Sequence, residues 1–401
     1  MDKEYIKEYI ADDGAYFFEE ENPVIDVAAS VHYRRQTPAY TEAYRKWRSD
    51  EKNAFAYNFV EDTREHTYRN GSGFIQRHPS LAEKKSIYRN MNLLGIILIG
   101  VLVWDALGVY LFVQVTRLFG SGVRYDHWNG LSLASDGYRL ACLTAVMGVE
   151  LLLPIVALKR FLKLPGEVLF PTKICNPAMH GMALPLAVIL FVTLHRVSEL
   201  YGGLLNKAGL EMRGWAFFIP DSLPLEIASA LLQVVLLSAL WEVFIHGAVM
   251  QSLRQFGDGF ALVVSSAIFT LLCHDGTRLF YCAIMSLIIG YYVLCTGSLR
   301  TGILMRTLIM AGEYIVYRVE YALRPEEAGL YVTALQFILI AAGLAALFIY
   351  CRDKQKMLSF AMPKTYVSVR EKILCSLNTL PVMLWIILVI LLSIGTLEFK
   401  M

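Results

Sequence analysis

Hydrophobic residues in this chain come in long runs, not in the short alternating stretches of a soluble domain. Runs near 91–116, 139–158, 179–199, 223–250, 259–274, 279–296, 300–318, 330–351 and 374–395 reach or approach transmembrane length. A helix rising 1.5 Å per residue needs about 20 apolar residues to cross a bilayer. The pattern predicts an all-α polytopic membrane protein with about nine transmembrane helices. Eight is the other count, because the runs 259–274 and 279–296 are short and nearly continuous. Four regions follow: a polar cytosolic N-terminal extension at 1–89, flanking transmembrane helices at 90–222, a helical core at 223–320 and C-terminal transmembrane helices at 321–401.

The polar positions orient these spans. Lys84, Lys85 and Arg89 stand before the first run, and Lys159, Arg160, Lys163 and Lys173 follow the second. Arg352, Lys354, Lys356, Lys364, Arg370 and Lys372 separate the last two. With a cytoplasmic N-terminus all of these fall inside, as the positive-inside rule asks. The opposite loops are mixed in sign, as with Arg324 beside Glu326 and Glu327. Within the extension, acids gather in Phe18-Glu-Glu-Glu-Asn22 and bases in Tyr33-Arg-Arg35 and Tyr44-Arg-Lys-Trp-Arg48. Its weak apolar spacing predicts short helices or partial disorder, either as an interaction segment or packed back on the inner face. Asn70-Gly-Ser-Gly73 marks a joint.

Composition agrees: 56% of the 401 residues are hydrophobic and the mean hydropathy is +0.47. A net charge of +2 with no basic block among aromatics argues against nucleic acid. The seven cysteines form no C-x-x-C pair, and most sit in apolar runs as small hydrophobes. Met1-Asp-Lys-Glu-Tyr5 is charged with no apolar stretch behind it, so no signal peptide is expected. The lipid bilayer is the first partner, and the expected location is the cell membrane.

Candidate chemistry lies inside the membrane runs. Glu242 and His246 are four residues apart, so they share a helix face. Cys273 and His274 end the next run, and Arg306 stands in a later one. An ionisable group at membrane depth costs roughly 2.5–3.5 kcal/mol on insertion scales, so these groups should turn inward and converge. Asp105 and Glu150 fall near mid-span, and His195-Arg196 near a span end. There each suits an inter-helix hydrogen bond, a snorkelling end residue or a shared cavity. H-E-x-x-H, G-x-S-x-G, Walker and G-x-G-x-x-G motifs are all missing from the sequence. Neighbours along a helix point about 100° apart, so Cys273 beside His274 is no nucleophile pair.

Segment 240–311 resembles the CPBP family, intramembrane glutamate-type peptidases that include type II CAAX prenyl endopeptidases and bacteriocin-processing or immunity proteins. The likeness rests on Phe244, Gly247, Leu253-Arg-Gln-Phe-Gly257, Ser265-Ser-Ala-Ile-Phe269, Gly290, Thr296-Gly-Ser-Leu299 and Ile303-Leu304. The family's pattern is E-E-x-x-x-R, then F-x-x-x-H, then H-x-x-x-N or a small residue. By the match, Trp241 takes the place of the water-activating Glu, Glu242 keeps the second Glu, and His246 takes the Arg. Cys273 stands at the first His with His274 one residue late, while Arg306 and Met310 replace the second His and the Asn. The resemblance therefore implies a catalytically impaired homologue that binds a membrane peptide or protein partner, because Trp is no base and Met no oxyanion donor. Alternatives stay open. Glu242, His246 and His274 form a rewired peptidase site, with or without zinc, since a glutamate-type peptidase needs no cofactor. Glu242 pairs with Arg306 as a structural brace. Or the polar residues line a carrier or channel, although no internal repeat supports that.

Overall fold

The computed structural model describes residues 36–50, 53–57, 79–126, 130–212, 216–273, 276–352, 366–395 and 397–399. Short helix α1 (Pro38–Ser49) leads into α2 (Pro79–Leu118), α3 (Asp136–Leu162) and α4 (Pro177–Lys207). The core follows as α5 (Leu223–Phe256), α6 (Asp258–Leu272), α7 (Leu279–Thr296) and α8 (Leu299–Ala322). Then come α9 (Pro325–Arg352), α10 (Val369–Leu377) and α11 (Leu380–Gly395). Two small antiparallel ribbons complete the description: β1 (Arg124–Asp126) with β2 (Gly130–Ser132), and β3 (Leu210–Met212) with β4 (Leu397–Phe399). The second puts the end of α4 and the end of α11 on one side of the bundle, as an odd number of crossings from the N-terminus requires.

Local chemistry sets the helix ends. Ser135, Asn176 and Ser298 accept from the amides of Tyr138, Met179 and Arg300 at the starts of α3, α4 and α8. Gly257, at φ 111°, turns the chain from α5 into α6 with backbone geometry that a side chain would strain.

Every run expected to be a span is helical, and the protein is an all-α polytopic membrane protein. By length and apolarity six helices qualify alone: α2, α3, α4, α5, α7 and α9. The pair α10 and α11 makes a seventh, although a 75° bend breaks it. The expected run 374–395 is therefore two helices, parted before Pro381. Lys372 holds α10 in place through Glu83 of α2 at 2.8 Å and the carbonyl of Phe256. The remaining two expected spans differ for separate reasons. α6 has 15 residues, about 22 Å of helix, less than a bilayer core. α8 carries Arg300, Arg306, Glu313, Arg318 and Glu320, charges that only a protein interior or interface accommodates.

The described part of the extension is packed. Tyr40, Tyr44 and Trp47 of α1 are buried against the C-terminal ends of α3 and α5. The Trp47 indole donates to the carbonyl of Leu162 at 2.7 Å, and Tyr40 Oη to Gln251 Oε1 at 2.6 Å. Arg254 grips Asp258 through two bonds of 2.8 and 3.3 Å and donates to Tyr40 Oη. Burial raises the Tyr40 phenol to about 12 and lowers the Arg48 guanidinium to about 10. Phe18-Glu-Glu-Glu-Asn22, Tyr33-Arg-Arg35 and Asn70-Gly-Ser-Gly73 lie outside the described residues.

Candidate functional site

The site is built where α5, α6, α7 and α8 cross. Along α5 the helix widens into π-helical turns at Leu231–Leu236 and Val243–Val249. Such turns recur at functional positions because they re-aim side chains. Glu242 opens the second widening, and His246 lies inside it. Glu242 Oε2 is 2.6 Å from His246 Nδ1, and Arg306 Nε of α8 donates to Glu242 Oε1. Glu242 and His246 are 0% exposed and Arg306 3%. A carboxylate only accepts, so the imidazole proton sits on Nδ1. Nε2 then faces Ser286 Oγ of α7 at 3.3 Å. The Arg306 guanidinium also lies over the Phe269 ring of α6, 4.2 Å from its centroid. Its Nη2 is buried and without a hydrogen-bond partner.

Two glycines make this closeness possible. A Cβ on Gly302 would come within 2.7 Å of Glu242 Oε2 and 2.6 Å of Val293 Cγ2. One on Gly290 would come within 2.8 Å of His246 Nε2 and 2.5 Å of Leu262 Cδ1. α7 and α8 thus press their backbones onto the charged pair, leaving both carboxylate oxygens committed. From below, Gln251 donates to the carbonyl of His246 at 3.3 Å while receiving Tyr40, so α1 is linked to the site by two hydrogen bonds.

The expected residues fall as follows. Glu242, His246 and Arg306 converge. Trp241 lies edge-on to Phe269 at 5.3 Å and tilted against Phe244 at 6.2 Å, part of an aromatic wall. Met310 is half-buried one turn beyond Arg306, and Cys273 is half-buried at the end of α6. His274 lies outside the described residues. Ser286 was missed by sequence reasoning. Its signal was a small residue one turn before Gly290 on an apolar helix, a spacing that admits close helix approach.

Zinc fits poorly here. Among the described residues no three His, Cys, Asp or Glu side chains form a metal-sized group. Glu242 already accepts from a guanidinium, whose positive charge opposes a second cation at the same oxygens. A second buried cluster lies toward the other end of the bundle. His195 Nδ1 of α4 is 3.2 and 3.3 Å from the Glu313 carboxylate of α8, and its Nε2 is 3.4 Å from Glu199. Arg278 reaches Glu313 at 3.3 Å. His195 is thus an inter-helix tie.

Together these features define a polytopic helical membrane protein whose central helices enclose a Glu–His–Arg cluster. Residues 223–311 match the model of the family described as type II CAAX prenyl endopeptidase Rce1-like, and the chain carries a domain of that family there. The matched stretch begins with α5 and ends one residue past Met310, so it takes in the whole cluster. No curated protein and no solved structure matches the chain significantly.

Proposed function

We propose that this chain is a catalytically impaired member of the CAAX-protease-like family that binds a membrane peptide or protein partner. The observation that carries the reading is the state of Glu242. Both its oxygens are bound, one by Arg306 and one by His246, and it is 0% exposed with Gly302 against it. Peptide hydrolysis needs a carboxylate free to take a proton from water, and this one is neutralised and walled in. Trp241 adds no second base. The cluster then serves as a brace that fixes α5 against α7 and α8. The test is a cleavage assay on membrane peptides, a prenylated CAAX peptide among them, with wild type beside Glu242→Gln. The expected result is no turnover that depends on Glu242; robust cleavage lost in the variant would sink the proposal.

One observation favours a second reading, an active site with a different nucleophile. Ser286, His246 and Glu242 stand in the order hydroxyl, imidazole, carboxylate, at 3.3 and 2.6 Å. That is the relay by which a base activates a serine. It competes with the arrangement in which Glu242 works with His246 and His274. A fluorophosphonate probe separates these: labelling of wild type but not Ser286→Ala supports the serine, and an unlabelled protein removes it.

The location that goes with this reading is the cell membrane with a cytoplasmic N-terminus. It is supported by Lys159, Arg160 and Lys163 at the α1 end of the bundle, all exposed. Protease cleavage of the extension in sealed right-side-out vesicles would place it outside and refute that orientation.

A further inference from the structure

The second half of α3 carries an apolar groove on its outward side. Val149, Leu152, Leu153, Val156 and Phe161 line it, with Arg160 at the far end. All five apolar side chains are exposed, while Glu150, Pro154 and Leu158 on the inward side of α3 are buried. The groove's volume of about 490 Å³ falls in the range of sites that hold a small ligand. From Val149 to Phe161 the helix rises about 18 Å, close to half of a bilayer core about 30 Å thick. The groove is thus one leaflet deep. That is the reach of an acyl chain, whereas a transmembrane helix would need a face about twice as long.

The far end is basic. Val156, Arg160 and Lys163 follow at intervals of four and three, so the two cations continue the face that carries the groove, and Lys159 stands beside them. All three cations are exposed, and among the described residues none has a carboxylate within ion-pair distance. Apolar lining and unneutralised positive charge therefore meet where α3 leaves the acyl region. We propose that this groove binds one phospholipid with an anionic headgroup, taken from the leaflet on the α1 side of the bundle. One acyl chain lies along Leu152, Leu153 and Val156, and the phosphate meets Arg160 and Lys163. A guanidinium donates to phosphate oxygens as a fork, and basic side chains at the membrane surface draw anionic lipid. A zwitterionic headgroup brings its own cation to the same place and gains less. α3 contributes no residue to the Glu242 cluster, so the lipid site stands whether or not that cluster hydrolyses peptides.

The experiment titrates the delipidated full chain in detergent with phosphatidylglycerol or phosphatidylcholine of equal chain length and reads bound lipid by native mass spectrometry. The first phosphatidylglycerol should bind about tenfold tighter than the first phosphatidylcholine, the scale set by two basic side chains at a membrane surface. Arg160→Gln with Lys163→Gln, both exposed changes that leave folding intact, should bind the two lipids alike. Val156→Trp should weaken both by filling the groove while keeping the cations. Glycerophosphoglycerol, the headgroup without chains, should fail to displace the lipid even in large excess. Arg117→Gln, exposed at the opposite end of the bundle, should change nothing, and Glu242→Gln should keep the preference, which separates this site from the buried cluster. Equal affinity for the two lipids in wild type would overturn the inference, as would a preference that survives in the double variant. A loss in Arg117→Gln as large as in the double variant would overturn it in favour of diffuse attraction. Displacement by the free headgroup would overturn it in favour of a phosphate site, and displacement by a synthetic leucine-rich transmembrane helix in favour of a protein partner.

Discussion

Replacing Glu242 with glutamine tests whether the buried cluster is a brace. Gln keeps the shape but removes the charge, so Arg306, 3% exposed, keeps its cation without a counter-charge. Its Nη2 already lacks a hydrogen-bond partner, and its ring contact with Phe269 is present before and after the change. Breaking a buried pair from one side typically costs roughly 3–5 kcal/mol; the amide oxygen still accepts from Arg306 Nε, which returns about 1, leaving about 2–4 kcal/mol. Arg306→Met alone strands the carboxylate, but the His246 Nδ1 contact at 2.6 Å remains, so its loss should be smaller, about 2 kcal/mol. With both changes no charge remains, and glutamine still accepts from His246 Nδ1. The double variant should stand within about 1 kcal/mol of wild type, giving a coupling of at least about 3 kcal/mol. The assay is equilibrium unfolding in mixed detergent micelles, followed by tryptophan fluorescence for all four members of the cycle. If the double variant loses the sum of the two single losses, the pair is not a unit and the brace is refuted.

Two other outcomes follow from the same geometry. Gly302→Ala drives a methyl to within 2.7 Å of Glu242 Oε2, so it should cost roughly 1–3 kcal/mol; an unchanged unfolding midpoint would mean that the cluster has room, and with it space for water. Trp47→Phe should lose about 1 kcal/mol with its bond to Leu162, and Trp47→Ala about 3–5 kcal/mol with the buried ring, if α1 is part of the folded bundle. Neutral behaviour of Trp47→Ala would detach the extension from it.

Much of this architecture could be read without coordinates. The helical runs are written in hydropathy alone, since backbone groups in lipid must bond within their own helix. Glu242 and His246 share a face because four residues make about one turn, and Arg306 was a reasonable partner because an embedded charge seeks its opposite. The bend between α10 and α11 was written in Ser376, Asn378 and Thr379 ahead of Pro381, polar and helix-breaking residues inside run 374–395, but its 75° angle is set by packing. The packing of α1 was hidden: Tyr40, Tyr44 and Trp47 look like scattered aromatics until Gln251 and Leu162 are brought to them.

By itself, then, the sequence determined that this is a multi-pass helical membrane protein with an Rce1-like segment and buried charges that must be reconciled. Hydropathy cannot say which side of an apolar helix turns inward, because lipid tails are as apolar as leucine. Tertiary packing made that decision. Gly290 and Gly302 let α7 and α8 close on Glu242 and His246, Ser286 came up to the imidazole, and His195 found Glu313.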